Sequence, residues 1–258
     1  MIYLLITTYF FVFILMTFAW ALYLYLKNPG IIDVFWSIAI TLAGITFLLS
    51  KNLNVITISF IALLLIWCVR LSGYLLLTRI IPGHIEKRYV NLSKDWKMSK
   101  AVAFFFNYQF QGFLAIIIAT PFLWIRNLTT LEINTIIAIF LIVIGIIGES
   151  ISDLQLQQFK KSHPGGVCNI GLWQYSRHPN YFFEFIVWLG FGIGAITTFP
   201  LSLLALISPV LLLFIMLKIT GPITEAGSLE SRGAAFEKYQ KQTSYFFLLP
   251  KKDEINRL

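Results

Sequence analysis

Three observations predict an all-α, polytopic membrane protein. Of the 258 residues, 58% are hydrophobic and only 12% are charged, against about 25% charged in an average soluble domain. Seven apolar runs recur from end to end, each near the ~20 residues that a helix needs to cross ~30 Å of hydrocarbon. The alternating ten-residue segments of a closed barrel are absent.

Taken in order, the first run, 2–26, has neither a basic leader nor a small-x-small cleavage site, so it reads as a true membrane helix and not a signal peptide. The second, 31–50, contains Asp33 and Trp36 near its start. The third, 53–78, holds Arg70, and the fourth is 101–125. Glu149, Asp153 and Gln157 lie near the end of the fifth, 133–158; Asn180 and Glu184 open the sixth, 179–198; the seventh is 201–219. The tail, 221–258, is less apolar. Leu229, Phe236, Tyr239, Tyr245, Phe246 and Phe247 predict an amphipathic helix that packs on the bundle or lies at the interface as an anchor. With no repeat, linker or low-complexity tract, a single domain over 1–258 is expected.

The formal net charge is +8, which raises nucleic acid as a partner, but the placement of the charges excludes it. With the N-terminus outside, the inner segments are 27–30, 79–100, 159–178 and the tail from 218. They hold 17 of the 20 Lys and Arg residues; Lys51 and Arg126 fall outside and Arg70 within a span. That asymmetry predicts an N-out, C-cytosolic topology, with anionic lipid adding its attraction. The larger polar segments, 79–100, 159–178 and 221–258, then all face the cytosol and can close over one cavity.

Several chemistries are excluded by counting. His84, His163 and His178 are the only histidines and form no HExxH or paired spacing, so no metal site is expected. Gly165-Gly166 is not a dinucleotide phosphate loop, and no GxSxG elbow occurs. Cys68 and Cys168 form neither a disulfide framework nor a CxxC site and read as ordinary buried or loop thiols.

Ionisable groups inside spans face the bundle interior and mark function. Glu149, Asp153 and Gln157 recur every four residues and make one polar stripe, extended by Lys160 and Lys161. Asn180 and Glu184 repeat that spacing, with Tyr181 and Trp188 on or near the same face. A polar seam between helices is the plainer explanation. The alternative is a ligand: carboxylates and an amide for ribose hydroxyls or a carboxamide, basic residues for phosphates, and aromatic rings for stacking. A dinucleotide has this mixture of groups. His178, before Pro179, is equally a loop-ordering residue or a proton donor.

The loop GLWQYSRHPNYFFE (171–184), with Gln111-Gly112 and Asp153, resembles the steroid 5-alpha-reductase family. So do Arg70, Tyr74 and Arg79 in their spacing. Asp33 with Trp36, the run 86–89, and the tail from Thr220-Gly221-Pro222 to Pro250 are most similar to its bacterial branch, the domain of unknown function 1295. The likeness runs from about residue 31 to 252. It implies a seven-helix fold in the inner membrane of a bacterium, NADPH held in the cytosolic half, and reduction of an activated carbon–carbon double bond in a sterol-, isoprenoid- or fatty-acyl-like lipid. By position it assigns the cofactor to Arg79, Asp153, Lys160, Asn180, Glu184 and Trp188, joined by Tyr175, Arg177, His178, Tyr181, Arg232 and Tyr239. For the substrate end it offers Trp67, where the steroid enzymes have a carbonyl-polarising tyrosine, together with Asp33 and Tyr74. An indole N–H can donate a hydrogen bond but cannot transfer a proton as a phenol does, so a 3-oxo-steroid substrate is not implied. An RHPxY loop also occurs in membrane S-adenosylmethionine-dependent methyltransferases of the isoprenylcysteine and phospholipid type. A non-enzymatic lipid-binding protein is the third reading. Oligomeric state is not legible in the sequence.

Overall fold

The computed structural model describes residues 1–93 and 96–251, without the side chains of residues 87 and 91. Residues 252–258 of the expected tail lie outside the described residues. Helices dominate; among the described residues there is no strand, and one isolated parallel bridge joins Ser176 to Ser244. The helices are α1 (Ile2–Leu26), α2 (Ile31–Leu48), α3 (Val55–Leu75), α4 (Lys87–Leu92), α5 (Lys100–Ile118), α6 (Phe122–Ile125), α7 (Ile133–Ser162), α8 (Pro179–Gly194), α9 (Ile207–Ile215), α10 (Gly221–Arg232) and α11 (Ala234–Gln242). Six helical stretches among the described residues are long and apolar enough to cross a membrane: Ile2–Leu26, Ile31–Leu48, Val55–Ile80, Lys100–Ile118, Ile133–Ser162 and Leu201–Arg232. The chain is a multi-pass membrane protein.

Local chemistry explains where the helices depart from the apolar runs. α3 starts at Val55 because Asn54 and Thr57 cap it reciprocally: Asn54 Oδ1 accepts from the Thr57 N–H at 3.0 Å and Thr57 Oγ1 from the Asn54 N–H at 2.9 Å. The run 101–125 divides after Ile118, because Pro121 supplies no N–H and crowds the preceding turn; α6 resumes beyond it. The run 179–198 is helical only to Gly194, so α8 has 16 residues and rises about 24 Å. α7 extends past its apolar part to Ser162, with Lys160 and Lys161 in its last turn, where cations favour the helix dipole. The seventh run and the first part of the tail form one continuous helical path, Leu201–Arg232. A widened π turn, Met216–Thr220, lies just before Gly221-Pro222. It accommodates a proline that cannot complete the regular ladder.

The chain divides into two compact units. The first comprises Met1–Ile137 and Phe191–Ser208. α2 is its centre, 61% buried where α1 is 22% buried, with α1, α3, α5 and α6 packed on it. Gly44 of α2 admits Leu64 and Phe122, whose atoms lie 2.8 Å from where a Cβ would stand. Phe122 meets Phe191 edge-on at 5.0 Å between ring centres. α1 and α5 are joined by hydrogen bonds as well as packing: the Trp20 indole donates to the Ala101 carbonyl at 2.8 Å, and Gln109 Nε2 to Thr17 Oγ1 at 3.1 Å. In lipid, where apolar surface gains nothing by leaving the solvent, such bonds and close packing hold helices together.

The second unit comprises Ala138–Gly190 and Pro209–Leu258. Glycines set its helix contact. A Cβ on Gly145 would stand 2.6 Å from Val187 Cγ2 and 3.0 Å from the Phe183 carbonyl; on Gly190, 2.9 Å from the Ala138 carbonyl; on Gly148 it would meet the Phe183 ring. Residues rising along α7 thus meet residues falling along α8, so the two helices run antiparallel at backbone contact. We expect Gly145→Val and Gly190→Val to lower stability by about 1–3 kcal/mol through overpacking. Gly73→Val, at a position with nothing within 4 Å of a Cβ, is the control and should change little. Thermal unfolding in detergent measures all three, and equal midpoints would show that the glycine contact is not limiting.

Candidate functional site

In the second unit the antiparallel register sets the α7 stripe beside the α8 stripe. Asn180, in the first turn of α8, donates from Nδ2 to Asp153 Oδ1 at 3.4 Å. One turn further along each helix stand Glu149 and Glu184, which the same register brings to a common level. All three carboxylate residues are buried, at 4–8% exposure. The Trp188 indole N–H donates to Glu184 Oε1 at 3.0 Å, and its ring is wholly buried. Asn180 Oδ1 is buried and has no hydrogen-bond partner in the chain, so this face retains an unused acceptor beside two carboxylates. Lys160 is exposed on the last turn of α7.

The loop between α7 and α8 is anchored from both sides. Gln155 Oε1 accepts from the Leu172 N–H at 2.9 Å, and the Trp173 indole donates to the Ser152 carbonyl at 2.9 Å. Gly171 has φ +56° and lies against the Gln155 amide, where a side chain has no room. On the other side Arg177 holds the tail. Its Nε donates to Glu225 Oε1 at 2.6 Å and its Nη2 to Glu225 Oε2 at 3.3 Å. Its Nη1 serves the carbonyls of Gln240 and Thr243 at 2.8 and 2.9 Å. His178 Nε2 donates to Glu225 Oε1 at 3.2 Å in the tautomer that carries the proton there, and Gln240 Nε2 donates to Oε2 at 2.7 Å. The His178 ring stacks on Tyr181 at 5.0 Å.

Backbone bonds complete the clasp: the Arg177 N–H donates to the Ser244 carbonyl at 2.8 Å, and Ser176 Oγ to the Phe246 carbonyl at 2.8 Å. Tyr239 donates its hydroxyl to the Trp173 carbonyl and also to that of Ser176. Burial pushes that phenol far above its ordinary range, so it stays a donor. Burial likewise raises the Cys168 thiol, which therefore stays protonated and unreactive at neutral pH. Of the residues that the resemblance assigns to the cofactor, Arg177 and His178 thus direct these polar groups to the tail, and Tyr239 of the tail directs its hydroxyl to the loop. Tyr175 is exposed at the loop surface, and Arg232, ending α10, donates to Ser228 Oγ at 3.0 Å.

The first unit holds the remaining assigned residues. Asp33, in the first turn of α2, accepts from Arg79 Nη1 at 3.4 Å, from Arg88, and from the Tyr89 hydroxyl at 2.5 Å. Arg79 Nε pairs with Glu86 at 3.2 Å. Burial, then the charge of Asp33, push the Tyr89 phenol well above its usual value, which keeps it protonated as a donor. Trp67 on α3 is wholly buried, and Tyr74, two turns on, is half-buried. Glu225 and Gln240 lie in the tail and Arg88 in the run 86–89, stretches that the sequence singles out only as wholes, since nothing local to any of the three names its partner.

The family described as "Protein of unknown function (DUF1295)" matches residues 19–243, and the chain belongs to it. No curated protein and no solved structure matches the chain.

Both members of the Arg177–Glu225 pair are nearly buried, with side chains 12% and 11% exposed. Removing one partner of such a pair costs about 3–5 kcal/mol. Glu225→Ala should therefore destabilise the second unit by that order and free α11 for limited proteolysis, read by mass spectrometry. A variant with wild-type midpoint and cleavage pattern would show that the tail is held by other contacts.

Proposed function

We propose that this chain is an integral-membrane, NADPH-dependent reductase of a carbon–carbon double bond in an apolar lipid. The observation that carries the reading is the α7–α8 face, where Asp153, Glu184 and the unpartnered Asn180 Oδ1 stand together. Buried acceptors next to a solvated loop favour a ligand rich in hydroxyl and amide donors, since an unfilled buried acceptor costs about 1–3 kcal/mol. The ribose hydroxyls and carboxamide of a nicotinamide dinucleotide are such donors. Asp153, Asn180 and Glu184 would hold it, with Lys160 as the cation for its phosphate. The bound group supplies hydride.

The chain's own residues do the rest. Trp188 fixes Glu184 through the indole hydrogen bond, so the carboxylate is oriented before a ligand arrives. The Arg177–Glu225 clasp fixes the start of α8, and with it Asn180, to the tail. For the substrate end, the resemblance offers Trp67, Asp33 and Tyr74, of which the indole N–H and the phenol can donate to an oxygen where negative charge develops. The topology that follows from the charge asymmetry opens the loop between α7 and α8 to the cytosol, where NADPH is available.

Thermal stabilisation of the purified full-length protein tests the reading. NADPH at about 100 times its dissociation constant should add ~2.7 kcal/mol. Asn180→Ala and Asp153→Asn should remove that shift while leaving the ligand-free midpoint within ~1 kcal/mol of wild type. A shift with S-adenosylmethionine alone would replace the reductase reading by a methyltransferase. Absence of a shift with NADPH, NADH and S-adenosylmethionine would favour a non-enzymatic lipid-binding role.

A further inference from the structure

A polar recess lies apart from the α7–α8 face. It is an open recess of about 400 Å³ between the loop after α7 and one side of α11, a volume within the ~300–1,000 Å³ of small-molecule pockets. Asn169, Lys238, Gln242, Thr243 and Lys251 supply its polar lining. Among the described residues that line it, two are cations and none is a carboxylate. Ala235, Lys238, Tyr239 and Gln242 recur at helical spacing, so α11 presents one face to the recess. Thr243 is only 2% exposed, and its hydroxyl, closed to solvent, has no hydrogen-bond partner in the chain. A buried donor left unpaired is unfavourable, and a rotation of this lining side chain toward the recess would let an oxygen acceptor there satisfy it.

We propose that this recess binds a phosphate group carried by a small molecule or a lipid head group. Lysines serve phosphate as mobile point charges, and hydroxyl and amide groups complete its hydrogen bonds. One effect opposes an anion here: Gln242 and Thr243 are at the C-terminal, negative end of α11, which disfavours an anion by about 0.3–1 kcal/mol. In this chain two carbonyls of that end are already satisfied, because Arg177 donates to those of Gln240 and Thr243 at 2.8 and 2.9 Å. Two lysines facing the recess then outweigh what remains. The volume exceeds that of a bare phosphate, so the group it takes has a body attached. The proposal does not depend on the dinucleotide reading, since its probes contain no nicotinamide.

The test uses the full-length protein in neutral detergent and in nanodiscs. In detergent, inorganic phosphate and glycerol phosphate are titrated against sodium chloride at matched ionic strength. A saturable rise in melting temperature of about 3–6 °C is expected at ten times the dissociation constant. It should be lost in Lys238→Gln/Lys251→Gln and weakened in Thr243→Val. The Thr243 variant should be as stable as wild type without phosphate, because its hydroxyl makes no bond in the chain. Stabilisation only in phosphatidylglycerol nanodiscs over phosphatidylcholine, lost in the double lysine variant, assigns the site to a lipid head group. Saturation by the soluble probes assigns it to a free phosphorylated ligand. An equal response to chloride, a shift that survives the lysine substitutions, or no response in either arm overturns the proposal.

Discussion

The guanidinium of Arg177 is the constraint on which the second unit depends. Four of its N–H directions are taken by Glu225 and by two carbonyls at the end of α11. One side chain therefore joins the loop before α8, the helix α10 and the tail beyond α11. The pair is almost closed to solvent, and a buried charge keeps its place only when its bonds are complete. Gln240 and His178 complete the carboxylate in turn. The position of Asn180, three residues after Arg177, follows from that anchorage. The candidate ligand face on α8 thus rests on an ion pair that does not belong to it.

Asp33 shows the same logic in the first unit. A carboxylate in the first turn of α2 gathers two arginines and a buried phenol from the segment after α3. Tyr89 donates because burial and the neighbouring charge both suppress its ionisation. Each unit carries its own charge network where a helix meets a polar connection. Low dielectric makes such networks strong when complete and costly when broken.

Close helix contact is the second requirement. Gly145, Gly148 and Gly190 let α7 and α8 approach until side-chain and backbone atoms fill the space of a Cβ. Only at that distance does the short side chain of Asn180 reach Asp153. Packing without bulky side chains is the usual means of association where lipid removes the hydrophobic driving force. Here it also determines which polar groups face one another, so stability and the candidate site share one cause.

Much of this was legible in the chain. The apolar runs, their lengths and the stripes at 149, 153 and 157 and at 180 and 184 depend on residues close in sequence, and helical periodicity projects them onto faces directly. Capping at Asn54 and the break at Pro121 are local for the same reason. The one-sided distribution of Lys and Arg predicts which connections share a side. Partner choice was not legible. Arg177 finds Glu225 across 48 residues and Thr243 across 66, and Arg88 finds Asp33 across 55. A motif such as RHPNY names side chains able to bind phosphate or ribose; it does not say that the arginine is already held by the chain's own tail. The end of α8 at Gly194 and the widened turn that carries the helical path past Pro222 are also invisible to hydropathy, which runs on beyond both. The sequence by itself determined an α-helical membrane protein and the faces on which its polar residues lie, because hydropathy and helical period act over a few residues. Only the tertiary structure decided which of those residues hold the fold and which retain unused capacity for a ligand, because burial and hydrogen-bond saturation are properties of the assembled helices.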